Sequence, residues 1–170
     1  MMPRRSLARS APALGGIVAS ALLAACSSGP ALHEPAPAFS ATDVDGQTVT
    51  LAAYEGKVVL MDFWATWCGP CRASTPNVQR IAEHYEGNPR VGVLAVHFDD
   101  TGDPAAYVAE HGLDARLIPN GNAVARAYGV NALPTFVVVG TDGTVVYRHT
   151  GQMGDRVREE VIAAIDAALR

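Results

Sequence analysis

Residues 58–76 read VVLMDFWATWCGPCRASTP. The stretch begins as a nearly continuous apolar run of β-branched and aromatic residues, the pattern of a central strand covered on both faces. It then crosses Cys68-Gly69-Pro70-Cys71 into a segment where Val78, Ile81, Ala82 and Tyr85 recur at helical spacing, with Pro76 predicting a kink. A strand therefore passes directly into a helix across a C-x-x-C pair. Cys68 falls in the N-cap region, where unpaired backbone N–H groups and the helix dipole favour a thiolate, which makes it the expected nucleophile. Cys71, one turn further on, is close enough to close a disulfide and is expected to be the more buried of the two. Half of a zinc site would also begin this way, but structural zinc takes four ligands, and the chain has no second C-x-x-C and no regularly spaced histidine pair.

Asp62 stands inside the apolar run. An unpaired buried carboxylate is costly, so an acid there is either held largely neutral or has a special partner, unless it sits at a strand end that reaches solvent. A buried Asp62 could accept the proton of Cys71, through a water, when that thiol attacks a mixed disulfide.

The remaining sequence supplies a frame for this unit. The 170 residues are 49% hydrophobic and 18% charged, which suits one compact domain. Residues 1–25 carry Arg4, Arg5 and Arg9, no acid, and the run ALGGIVASALLAA, the pattern of a secretory signal. Leu23-Ala24-Ala25-Cys26 resembles the bacterial lipobox, which makes Cys26 the expected lipid-bearing residue and predicts a membrane held through that anchor; the apolar run is too short and bounded to favour a retained transmembrane helix. With Cys26 assigned to lipid, Cys68 and Cys71 remain as a pair in an exported protein, where disulfides persist. Removal of the three signal arginines leaves ten basic residues against 17 acidic ones, a net charge of about −7, which argues against a nucleic-acid partner. Residues 26–38, rich in Ser, Pro and Ala, read as the lipidated cysteine and a flexible tether, and residues 39–170 as the folded domain.

Within that domain, FSATDVDGQTVTL predicts an N-terminal hairpin turning at Asp45-Gly46. RVGVLAVHF predicts a second buried strand, DPAAYVAEHG a short helix, ARLI a short strand and GNAVARAYG another helix. After Pro134, TFVVVGTDGTVVYRH predicts a hairpin turning at Asp142-Gly143, and Val157, Val161, Ile165 and Ala168 stripe a final helix. The alternation implies an α/β fold with a central mixed, mostly parallel sheet flanked by helices. His97, Asp99 and Asp100 end the second buried strand; a lone histidine beside strand-end acids is more often structural than functional. His149 reads as a surface residue, Trp64 as core, and Trp67 as a partly exposed docking surface.

DFWATWCGPC, Pro76 five residues after the second cysteine, and GVNALPTFVV together resemble the thioredoxin-like proteins. With the N-terminal hairpin, an inserted segment at about 99–120 and the lipobox, the chain most resembles the exported TlpA/ResA type. That resemblance implies a thioredoxin-like fold and a lipid-anchored thiol:disulfide oxidoreductase facing the periplasm or cell exterior. It implies Cys68 as attacking and Cys71 as resolving cysteine, and a cis-proline at Pro134 that presents Leu133 backbone groups to an extended substrate. Trp67, Gly69, Pro70, Leu133 and Thr135 then become docking residues. The Gly69-Pro70 dipeptide is that of reducing thioredoxins. The implied partners are oxidised substrate proteins, such as apocytochrome c or copper-centre assembly proteins, and a membrane thiol-reductant donor of the DsbD/CcdA type. The implied state is a monomer with no cofactor beyond the cysteine pair. Two positions depart from the family: its acidic residue three places after the second cysteine is Ser74 here, and its central-strand Asn is Asp62. Two other readings stay open: a Cu(I)-handling module using Cys68, Cys71 and His97, and a thiol peroxidase, although Ala65 replaces the threonine of the peroxidase T-x-x-C.

Overall fold

The computed structural model describes residues 29–170, so the signal segment and Cys26 lie outside the described residues. Strands β1 (Ser40–Thr42) and β2 (Thr48–Thr50) form the expected N-terminal hairpin, paired antiparallel from Ser40↔Thr50 to Thr42↔Thr48. Gly46 takes φ +77° in its turn, a conformation costly for a residue with a Cβ. Asp43 fixes the hairpin: its Oδ1 accepts the N–H groups of Asp45 and Gln47, and Arg116 Nε donates to its Oδ2 at 2.7 Å.

A short 3₁₀ turn, Leu51–Tyr54, leads into β3 (Val58–Trp64), every residue of which is buried. Helix α1 (Gly69–His84) follows directly and continues through Pro76 as one element. Then come β4 (Val91–His97), α2 (Pro104–His111), β5 (Arg116–Ile118), α3 (Asn122–Ala127), β6 (Thr135–Val139), β7 (Val145–Thr150) and α4 (Asp155–Leu169). None of the described helices is long and apolar enough to cross a membrane.

The main sheet has the order β5-β4-β3-β6-β7. It is mixed, as expected, but the parallel share is smaller than the strand–helix alternation implied. Pairs β3–β4 and β4–β5 are parallel, whereas β3–β6 and β6–β7 are antiparallel. The cause is that β6, entered after α3, runs against β3, and β7 turns back along it as a hairpin.

β3 lies in the middle, and its side chains alternate between two apolar layers. Val58, Leu60 and Trp64 pack with Val78 and Ile81 of α1 and Val157, Val161 and Ile165 of α4. Val59, Met61 and Phe63 pack on the other face with Val49 of the hairpin and Val124, Ala125 and Tyr128. Each such aliphatic side chain contributes about 1.5–3 kcal/mol when fully buried, so β3 is the best-anchored element from which a site could be built.

The end of the segment read as a tether is also held by the domain. His33 N–H donates to Val145 O at 2.7 Å, Ala36 N–H to Gly143 O at 2.9 Å, and Val145 N–H to Glu34 O at 2.9 Å. Residues 33–36 thus lie against the turn and start of β7.

Candidate active site

β3 delivers the chain at Trp64 to a three-residue loop, and α1 begins one residue after Cys68. Cys68 caps the helix in an extended conformation (φ −78°, ψ 104°), and its Sγ accepts the Cys71 N–H at 3.2 Å. Pro70 occupies the first turn, where its missing N–H would have had no intrahelical partner. The two sulfurs form a disulfide, with the Cα atoms 5.2 Å apart. Cys68 is 3% and Cys71 4% exposed, so the expected difference in burial is absent. Both belong to the layer that contains Trp64, Phe136 and Met153. Around them Gly69 and Pro70 are exposed, and Trp67 stands 58% exposed, anchored by its Nε1–H on Asp99 O at 3.0 Å.

The Leu133–Pro134 peptide bond is cis, as the resemblance implied. Leu133 is half-buried and lines a groove of about 230 Å³ with Trp67, Phe98 and Val130. The groove joins the loop before the cysteines to the loop before Pro134, so Trp67 and Leu133 share one surface. Gly69 and Pro70 lie outside its lining. Thr135 does not fit the docking role expected of it. It is buried at 1% exposure, and its hydroxyl donates to Ala132 O at 2.9 Å and meets Thr150 Oγ1 at 3.0 Å. Arg148, which carries no signal of a role in the sequence, supports the same loop by donating to Tyr128 O at 2.9 Å and Gly129 O at 3.2 Å.

Asp62 sits between Ala95 of β4 and Phe136 of β6 in the sheet register. Strand alternation puts its side chain in the layer of Leu60 and Trp64, which is also that of the cysteines. It is 6% exposed, and Oδ1 has no hydrogen-bond partner, so the solvated strand-end alternative does not describe it. Burial pushes its carboxyl up to about 7, because removal from water penalises the charged form. Ser74, where the family carries an acid, is 1% exposed; its hydroxyl donates to Pro70 O at 2.8 Å and accepts the Met153 N–H at 2.9 Å. A carboxylate could not donate to Pro70 O, so this position is built for a hydroxyl.

His97 is buried at 2% exposure, with Nδ1 2.9 Å from Pro119 O and Nε2 3.0 Å from Asp100 Oδ2. Neither ring nitrogen is left for a metal, which removes His97 from the Cu(I) set. Trp64 is core, as expected, 4.8 Å from the Tyr107 ring. His149 is half-buried and stacked on Phe136 at 6.4 Å, where a surface residue was expected. Larger cavities occur near Tyr54 and Lys57 (about 400 Å³) and near Tyr85 and Asp114 (about 360 Å³), but no cysteine lines either.

A helix-capping cysteine pair beside a groove lined by Trp67 and Leu133, with a buried acid in the same layer, can exchange disulfides with an extended segment laid across that groove. The Redoxin family model matches residues 31–165. The thiol-disulfide oxidoreductase ResA of Halalkalibacterium halodurans is 31% identical over 134 residues, covering 78% of this chain and 76% of its own. The thiol:disulfide interchange protein CycY of Rhizobium leguminosarum bv. viciae is 33% identical over 141 residues, covering 80% and 72%. Among solved structures, a Chlorobium tepidum protein assigned as thiol:disulfide interchange protein DsbE superposes with a TM-score of 0.74 at 31% identity, covering 83% of this chain and 99% of its own.

Proposed function

This chain belongs to the Redoxin family and is a thiol:disulfide oxidoreductase, and we propose that it works as a reductase of disulfides in exported proteins. The observation that carries the reading is the Cys68–Cys71 disulfide across the first turn of α1, with Cys68 Sγ on the Cys71 N–H. In the reduced protein, Cys68 thiolate attacks one sulfur of the substrate disulfide and expels the other as a thiolate. Cys71 thiolate then attacks Cys68 Sγ, closes the protein disulfide and releases the second substrate thiolate, so that two electrons pass to the substrate. The groove between Trp67 and Leu133 supports docking of an extended substrate segment. Apocytochrome c and copper-centre assembly proteins are the substrate classes that the resemblance brings into range. A donor of the DsbD/CcdA type would return the electrons.

Gly69-Pro70 between the cysteines sets the expected direction. Equilibration with glutathione is expected to give a potential of about −250 mV or lower, near the value of about −270 mV for thioredoxin. A potential above about −180 mV, the range of protein disulfide isomerase, would overturn the reductase reading.

Anchoring through Cys26 is a separate part of the proposal. Cys26→Ser is expected to abolish incorporation of labelled fatty acid and release the protein from the membrane fraction, with the potential of the cysteine pair unchanged. Labelling and membrane retention equal to wild type would refute the anchor and leave the redox assignment standing.

A further inference from the structure

The inserted segment after β4 grips the loop that carries the cysteines. Asp100 Oδ2 accepts the Thr66 N–H at 2.6 Å and also the Thr66 hydroxyl, and Oδ1 accepts the Gly102 N–H at 2.8 Å. Asp99 O takes the Trp67 indole N–H. A Cβ on Gly102 would stand 2.1 Å from Thr66 Oγ1, so the backbone of the segment lies directly on the Thr66 side chain. On the far side of the pair, Thr75 Oγ1 donates its one proton to Cys71 O at 3.2 Å. Tyr107 OH, 2.9 Å from Thr75 Oγ1, must therefore be the donor in that contact. The segment thus braces Thr66 and Trp67 before the cysteines and Thr75 after them.

Asp100 is fixed in its turn by His97, which is tied to Pro119 O and covered by Trp64 at 5.2 Å. The Asp100 side chain is only 7% exposed, unlike the acids of solvated surface pairs, which contribute little. The Thr66 hydroxyl above all, then the Gly102 N–H and His97, hold its carboxyl well below the usual carboxylate range despite the burial. Its hydrogen bonds go to Thr66, Gly102 and His97 and none to a sulfur.

We propose that Asp100 is a positioning residue for thiol–disulfide exchange: by holding Thr66 it sets how the chain enters α1 and keeps Cys68 Sγ on the Cys71 N–H. The inference rests on Cys68 as the attacking sulfur. Without Asp100, the Thr66 N–H and hydroxyl both lose their shared acceptor, the loop gains freedom, and the thiolate loses part of the N-cap stabilisation that lowers its pKa.

The test is the pKa of the Cys68 thiol, from thiolate absorbance against pH in the reduced protein, together with the rate of attack on a small aromatic disulfide at pH 7. Asp100→Ala is expected to raise the pKa by about one unit, which slows attack by roughly twofold to fourfold once the greater nucleophilicity of a more basic thiolate is allowed for. Removal of a neighbouring negative charge alone would lower the pKa, and loss of a merely structural contact would lower stability with the pKa and rate unmoved. Either result overturns the proposal. Thr66→Val keeps every charge and removes only the hydroxyl; it is expected to shift both readouts in the same direction by a smaller amount, and Thr66→Ser to restore them. If Asp100→Ala does not fold, wild-type pKa and rate in Thr66→Val are the overturning result. Persistence of the low-pKa thiolate signal in Cys68→Ser would locate the failure in the attacking-cysteine assignment instead.

Discussion

Cys68→Ser is expected to reduce protein-disulfide turnover by as much as roughly 10⁶-fold, the order found when a covalent nucleophile is removed from other enzymes. Cys71→Ser is expected to fail differently. The first attack survives, because Cys68 and the N–H at position 71 are both retained, and the cycle stalls at the mixed disulfide, which lacks the thiolate that releases it. Non-reducing electrophoresis should therefore show a covalent adduct with exported proteins for Cys71→Ser, and none for Cys68→Ser or the double variant. The near-equal burial of the two sulfurs gives this experiment its weight, because accessibility in the disulfide form does not distinguish them. What does distinguish them is the helix: Cys68 is the N-cap, with an N–H aimed at its sulfur, whereas Cys71 lies inside the first turn. Adduct formation by Cys68→Ser, with neither adduct nor turnover in Cys71→Ser, would invert the roles.

The parts of the site readable in the sequence are those set by local patterning. A run such as Val58–Trp64, short and rich in β-branched and aromatic residues, has the pattern of a strand buried on both faces, and the helical spacing after it places the two cysteines at the start of the following helix. Asp45-Gly46 and Asp142-Gly143 marked their turns for the same reason: few residues adopt the required φ, and Gly46 and Gly143 do so at +77° and +78°. What the sequence hid are contacts between residues far apart in the chain. Ser74 and Met153, Asp43 and Arg116, and Arg148 and Tyr128 are joined only once the register is set. Thr135 adjoins Pro134 in sequence, yet strand pairing turns its hydroxyl inward to Thr150. The docking of residues 33–36 is carried by backbone groups, which no side-chain pattern reports. Periodicity likewise marked β6 as a strand without giving its direction, which is why the antiparallel half of the sheet was underestimated. Asp100 was visible with His97 and Asp99 at the end of a strand, but its importance depends on Thr66, 34 positions away.

Asp62 joins the two levels, since its position in an apolar run is local and its consequences are thermodynamic. With its folded pKa raised from 3.8 to about 7, the folded protein holds a proton that the unfolded chain has released at any pH between those values. Stability is therefore complete below the unfolded pKa and falls as pH rises through that window. At about 1.36 kcal/mol for each pKa unit, the loss approaches roughly 4 kcal/mol once the carboxyl is ionised, a large part of the 5–15 kcal/mol typical of a domain. Asp62→Asn cannot ionise, so its stability should not decline across this window. Denaturant unfolding at about pH 8 is expected to show the variant more stable by about 1–3 kcal/mol, after allowance for imperfect pairing of the buried amide. Near pH 4 the advantage should vanish.

The same substitution should impair the chemistry. Cys71 must lose its proton to attack Cys68, and an acceptor with a pKa near 7 in the same apolar layer is suited to take it. Without that acceptor, release of the mixed disulfide is expected to slow by about 10²–10⁴-fold, with the first attack by Cys68 little changed. The resulting protein would be more stable and less active, the trade expected where a buried, unpartnered carboxyl serves catalysis. Rapid-mixing measurements of mixed-disulfide decay, paired with unfolding curves at acidic and alkaline pH, decide the matter. A variant that is less stable at pH 8 and releases substrate at the wild-type rate would show that Asp62 ionises without cost in the fold and takes no part in resolving the disulfide.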